Sequence, residues 1–236
     1  MKQETTTGTP VKYPGLQRQP GAAQNGNWVV GFIRRFLRAQ FGRPSGFIGS
    51  IVGRIMARTA SNHERMYWTL SLLDILPADR VLEIGFGPGF AIQRASVLAS
   101  RGFVAGVDHS DVMVRQAAKL NAGAVRAGQV SLQLGSASEL PKFNDPFDKI
   151  FTINSIHFWH EPVECLGALR SMLKPGGTIA VTLQPRSKSA TDADALEIGR
   201  EVGRNLELAG FSQVRVEVKT MKPIAAACAL GRNVAL

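Results

Sequence analysis

Glu83, Gly85, Gly87, Gly89 and Asp108 are the residues whose types and spacing first point to chemistry. Four of them lie in Val81-Leu82-Glu83-Ile84-Gly85-Phe86-Gly87-Pro88-Gly89, where apolar residues surround an acid and glycine then takes every second position. Glycine is needed where the backbone adopts positive φ or a ligand approaches closely. A buried strand that runs through such a turn into a helix is where α/β proteins hold nucleotide-like cofactors. Asp108 ends the next apolar run, where a carboxylate can accept both hydroxyls of a ribose. The plainer alternative is that Asp108 only caps the helix that follows it.

The elements that must position these residues follow from periodicity. Strands are predicted over 80–84, 103–107, 130–134, 148–153 and 178–183. Helices are predicted between them over 90–100, 111–124 and 162–173, with Ser110 as the cap of the second. A helix over 192–209 stops at Gly210, and strands over 212–219 and 223–230 close the chain. Strand–helix alternation implies a doubly wound, Rossmann-like α/β sheet of seven strands, mostly parallel. The turn over 220–222 is too short for a parallel return, so the last two strands form an antiparallel hairpin.

Helices precede the sheet. One is predicted over 64–76, with Met66, Leu70, Leu73 and Leu76 on its apolar side and Pro77 ending it. Another is predicted over 48–61. Residues 28–41 read as an amphipathic helix, with Trp28, Phe32 and Phe36 opposite Arg34, Arg35 and Arg38. Residues 1–27 are too polar to order themselves. The domains are thus a disordered tail over 1–27, a basic helical lid or anchor over 28–64, and the main domain over 65–236.

Several spaced motifs give the chain a family resemblance from about residue 65 to 231. They are Glu83-Ile84-Gly85-Phe86-Gly87-Pro88-Gly89, Gly106-Val107-Asp108, Phe147-Asp148-Lys149-Ile150, Leu173-Lys174-Pro175-Gly176-Gly177 and the hairpin from Gly210-Phe211 to Cys228-Ala229-Leu230-Gly231. The chain resembles the class I S-adenosylmethionine-dependent methyltransferases of the small-molecule type. The resemblance implies S-adenosyl-L-methionine as cofactor. It places Gly85, Phe86 and Gly87 against the methionine part, Glu83 near its ammonium, and Gly89 where the helix packs close. Asp108 would hold the ribose, with His109 and Met113 near the adenine. Ser136 and Ala137 would meet the adenine edge, where many members carry an acid instead of Ser136. Asn154 would close the pocket.

The resemblance also places methyl transfer at Asn154-Ser155-Ile156-His157-Phe158-Trp159-His160. A hydroxyl or protonated amine acceptor is helped by a base, and histidine suits that role. His157 is the first choice and His160 stands behind it. Phe158 and Trp159 could wall an apolar or cationic acceptor, and Asn62-His63 and Tyr67 could reach it from the preceding helix. The alternatives are that His157 bonds a loop backbone, that Phe158 and Trp159 only pack, and that Asn62-His63 is a solvated helix end. The Asn-Pro-Pro-Tyr motif of enzymes that methylate DNA bases is absent, and so is metal-ligand spacing.

Composition bounds the partners. The 236 residues, 44% hydrophobic, suit one compact domain of about 170 to 190 residues with an N-terminal extension. Residues 1–60 hold nine Lys and Arg against Glu4, so +8 of the +10 net charge lies there. That segment could contact a membrane surface through Arg34, Arg35 and Arg38, cover a lipid-like substrate, or pack on the main domain. No specific nucleic-acid partner is expected. Cys165 and Cys228 read as buried free thiols in a reducing cytoplasm. No membrane span or secretory leader is expected. The acceptor is expected to be a small or lipid-like molecule. Two other classes stay open. One is a nicotinamide-dependent oxidoreductase, disfavoured by Gly-x-Gly-x-Gly in place of Gly-x-Gly-x-x-Gly. The other is a non-catalytic protein that keeps the cofactor fold and docks on membrane or nucleic acid through the basic segment.

Overall fold

A computed structural model of the chain describes residues 60–185, 187 and 189–234. The expected tail, the helix over 28–41 with Arg34, Arg35 and Arg38, and the helix over 48–61 up to residue 59 lie outside the described residues. The sheet has seven strands: β1 (Arg80–Ile84), β2 (Phe103–Asp108), β3 (Val130–Leu134), β4 (Phe147–Ile153), β5 (Leu173–Leu183), β6 (Ser212–Lys219) and β7 (Ala226–Arg232). Their order is β3-β2-β1-β4-β5-β7-β6. The first five run parallel, and β7 is antiparallel to both β5 and β6.

The order reverses between β1 and β4, which are neighbours in register from Val81↔Lys149 to Glu83↔Phe151. Helical connections leave these two strands in opposite directions, so a crevice opens beyond their carboxyl ends. Alternate residues feed the two faces. Val81 and Val104 pack with α1 (Ala60–Leu73), α2 (Phe90–Leu98) and α3 (Asp111–Leu120) through Leu70, Ile92 and Val112. Leu82 and Ala105 pack on the other face with α5 (Pro162–Ser171) and α6 (Asp192–Leu208) through Leu166 and Leu206. Cys165 and Cys228 are buried and free, and burial pushes the Cys228 thiol up to about 12.

Four elements differ from expectation by more than two residues. The helix predicted over 111–124 breaks into α3 and α4 (Ala122–Arg126) at Asn121, whose amide donates to the carbonyls of Gly89 and Ala117. That side-chain bond competes with continuous helix. Helix α1 spans Ala60–Leu73 rather than 64–76, because Asp74 takes φ 51 and ends it. Leu76 is therefore exposed, and Ile75 is buried in its place. Strand β5 starts at Leu173, paired with Phe147 before the register shift. Strand β7 starts at Ala226 rather than 223, since Pro223 has no N–H for the ladder. Among the described residues no helix is long and apolar enough to cross a membrane.

Candidate active site

After Arg80, strand β1 is buried and apolar except at Glu83, which is 2% exposed. Its Oε2 has no hydrogen-bond partner. Burial, and then the charge of Asp108, pushes its carboxyl well above the ordinary range. Beyond β1 the chain turns through Gly85 at φ 75 and Gly87 at φ 53, both in the left-handed region where a Cβ is strained. A Cβ on Gly85 would strike the Ser155 side chain, whereas one on Gly87 would meet no atom within 4 Å. Gly85 is thus fixed by packing, and Gly87 faces open space.

Asp108 is buried at the tip of β2. Its Oδ2 accepts the Gly87 N–H at 2.8 Å and its Oδ1 accepts the Ser110 N–H at 2.9 Å. The helix cap is Ser110, whose Oγ accepts from Met113. Burial raises the Asp108 carboxyl, an effect offset in part by the amides of Ser110 and Gly87 and by His109. The His109 Nδ1 lies 3.9 Å from Asp108 Oδ1. Each carboxylate oxygen keeps acceptor capacity beyond its one backbone amide.

A pocket opens over this turn. Its floor is Glu83, Gly85, Phe86, Gly87 and Pro88, and its walls include Phe90, Ile153 and Asn154. Its roof is the first turns of α1, through Asn62, His63, Arg65 and Met66. The His63 ring lies 5.6 Å from that of Phe90, and its Nε2 is buried without a hydrogen-bond partner. Asn154 takes φ 54 and accepts the Gln184 N–H on its Oδ1 at 2.9 Å. The Gln184 side chain accepts from Arg65 Nη1 and donates to the Ile224 carbonyl, so its backbone N–H and side chain together tie α1, the end of β4 and the loop before β7 to the end of β5.

The structure therefore brings Glu83, Gly85, Phe86, Gly87, Asn154 and His63 to one pocket, with Asp108 and His109 beside it. Gly89 caps α2. Met113 and Ala137 are buried in the cores of opposite faces. The Ser136 Oγ accepts the Glu139 N–H in its own turn. Tyr67 is 53% exposed beneath the Arg94 guanidinium, 5.6 Å from its ring centroid. The His157 and Phe158 rings lie 4.0 Å apart outside the pocket lining, and Phe158 is 45% exposed. Trp159 donates to Ser155 Oγ at 3.2 Å and packs on the second face. His160 is 90% exposed and pairs with Glu161 at 3.1 Å.

Arg65 at the pocket, and Gln184 that holds it, are residues that sequence reading passed over. One signal was available. Asn62, Arg65 and Thr69 fall on the same helical stripe as Met66 and Leu70, and polar residues within an apolar stripe mark a special surrounding.

These residues fit S-adenosylmethionine. The buried, unpartnered Glu83 oxygen suits an ammonium, Gly87 leaves room at close backbone approach, and Asp108 keeps acceptor capacity for ribose hydroxyls. A Methyltransferase domain model matches residues 81–177. An uncharacterized methyltransferase of Bacillus subtilis, YdaC, is 31% identical over 183 residues, which cover 78% of this chain and 98% of that protein. The O-methyltransferase resE of Aspergillus sclerotiorum is 30% identical over 102 residues, 43% of this chain and 38% of that protein. Among solved structures, a SAM-dependent methyltransferase from Aquifex aeolicus has a TM-score of 0.58 at 23% identity, over 72% of this chain and 89% of that one. The N-methyltransferase NodS from Bradyrhizobium japonicum, in complex with S-adenosyl-L-homocysteine, has a TM-score of 0.58 at 18% identity, over 75% and 90%. The oxidoreductase and non-catalytic readings are set aside by these relationships. Near-complete coverage of YdaC, the matched domain and the glycine turn joined to Asp108 make this chain a member of the class I S-adenosylmethionine-dependent methyltransferases.

Proposed function

We propose that the enzyme methylates a small-molecule or lipid-like acceptor held beneath α1, with His63 taking up the acceptor's proton. The observation that carries this reading is His63 itself. Its Nε2 is buried at the pocket wall without a hydrogen-bond partner, and its ring rests against Phe90.

When bound, S-adenosylmethionine supplies a methyl group on a sulfonium that is already a good leaving group, so the transfer is an in-line displacement. The protein's part is then alignment and exclusion of water. Met66, Phe86 and Phe90 supply apolar walls. Asn154, held by the Gln184 amide, fixes the edge at the tip of β4. His63 Nε2 is available to accept a proton from a hydroxyl as the new bond forms, or from an ammonium before its nitrogen attacks. The match to resE, an O-methyltransferase, supports an oxygen acceptor.

The test is methyl transfer from radiolabelled S-adenosylmethionine to a panel of phenols, carboxylic acids, amines and isoprenoid alcohols. His63→Gln is expected to lower kcat/KM on the order of 10²- to 10⁴-fold. His157→Gln and His160→Gln are expected to leave it nearly unchanged. A His63→Gln enzyme with wild-type activity would remove His63 from this role.

A further inference from the structure

We propose that Asn121 is a positioning residue for methyl transfer, its side-chain amide holding the glycine turn after β1 against the end of α3. This rests on the pocket over that turn being the cofactor site.

Asn121 lies outside the pocket lining and reaches the site through Gly89. It is 4% exposed, and its Nδ2 donates to the carbonyls of Gly89 at 3.1 Å and Ala117 at 2.9 Å. Both neighbours are acceptors, so only the NH2 end of the amide can face them. Neither carbonyl depends on this donor. The Gly89 oxygen already accepts the Gln93 N–H at 3.0 Å, and the Ala117 oxygen accepts the backbone N–H of Asn121 itself at 2.9 Å. The Asn121 Oδ1, by contrast, is buried without a hydrogen-bond partner. A buried acceptor left unpaired destabilises a fold. The side chain also interrupts the helix, where alanine would let α3 run into α4. For stability alone Asn121 is a poor choice, because its bonds are surplus to the backbone and its oxygen is unsatisfied.

What those bonds do is fix a place. Gly89 takes φ 86, and a Cβ on it would come within 2.6 Å of the Ala117 Cβ and 2.9 Å of Asn121 Nδ2, so the turn lies directly on α3. The Gly89 N–H donates to the Phe86 carbonyl at 3.1 Å and closes the segment 86–89. Phe86, Gly87 and Pro88 floor the pocket, and Phe90 and Ala91, which open α2, also line it. Gly89 therefore joins floor to wall, and Asn121 pins it. Asp108 pins the same turn at the Gly87 N–H. One tie comes from the tip of β2 and the other from the end of α3, so the turn is set before a ligand arrives. Displacement at the sulfonium needs its partners in line, and a turn set in advance supplies that alignment.

The test is calorimetric binding of S-adenosylhomocysteine, at a temperature where every variant is folded, beside thermal unfolding. Asn121→Ala removes both donors and the unpaired oxygen. It is expected to weaken the ligand about 10-fold with Tm close to the wild-type value. Asn121→Asp is the second variant, since it keeps the side-chain outline but sets a carboxylate against two carbonyls. It is expected to weaken the ligand at least as much and to lower Tm. Val130→Ala truncates a buried core residue at the start of β3 and serves as the control. It is expected to lower Tm and leave the affinity unchanged. Wild-type affinity in either Asn121 variant, or an equal loss of affinity in Val130→Ala, would overturn the assignment and leave Asn121 a helix break. A wild-type protein that binds no S-adenosylhomocysteine would sink the cofactor site itself, a failure visible before any substitution is made.

Discussion

The carboxylate of Asp108 accepts the backbone N–H of Gly87 at 2.8 Å, tying the tip of β2 to the glycine turn after β1. The second oxygen binds the Ser110 N–H, so one side chain holds both the turn and the start of α3. Asp108→Ala is expected to weaken both S-adenosylhomocysteine and methylthioadenosine, each about 10- to 100-fold, because both carry the ribose. Titration calorimetry checks this, and loss confined to one ligand would contradict it.

Gly85 and Gly87 share positive φ but differ in surroundings. Gly85→Ala must displace Ser155, which also accepts the Trp159 indole N–H, and is expected to cost about 2–4 kcal/mol of stability. Gly87→Ala meets open space and is expected to cost about 1–2 kcal/mol, the backbone strain alone. Its methyl would stand where a ligand approaches, so its affinity for S-adenosylhomocysteine is expected to fall about 10-fold. Urea unfolding and calorimetry on the two variants would reverse the assignment if Gly87 proved the more destabilising site.

Glu83 is buried at the expense of stability. Its folded carboxyl is raised above the ordinary 4.5, first by burial and then by Asp108. The destabilisation is absent below 4.5, grows as pH rises toward the raised folded value, and is full above it. Glu83→Gln is therefore expected to raise Tm at pH 8 and to lose that advantage near pH 4. The same variant is expected to bind S-adenosylhomocysteine more weakly. A Tm gain that stays constant across this range would exclude the titration of Glu83 as its source.

Asp148 has the opposite sign. Burial works to raise its carboxyl, but the Arg80 amide and the Lys174 ammonium, each at 2.8 Å, together with Lys149, hold it below 3.8. The stability it contributes is fully present above 3.8 and is lost as pH falls through the lowered folded value. Asp148→Asn is expected to cost about 1 kcal/mol at pH 7. Its unfolding curve should merge with that of the wild type in strong acid, and curves that remain apart there would count against the ion pair.

Much of the scaffold was legible because its causes are local. The Gly85–Gly87 turn depends on residues that tolerate positive φ. Alternating apolar runs gave each strand, and Ser110 marked the start of α3. The break at Asn121 escaped because it depends on the Gly89 carbonyl, 32 residues earlier in the chain. The strand start at 223 was placed too early although Pro223, which has no N–H for the ladder, stands in the sequence as the signal against it.

The sequence by itself determined the glycine turn after β1, the acid that braces it and the α/β alternation, since each is encoded within a few residues of itself. Only the tertiary structure decided which charged and basic groups meet there. His157 follows β4 in sequence yet lies outside the pocket lining, while His63 reaches the pocket from the roof. Arg65 joins the site through Gln184, 119 residues away, because β5 ends beside the strand-order reversal that α1 covers. Contacts of that span depend on where the sheet brings distant segments together, and no local pattern of residues encodes them.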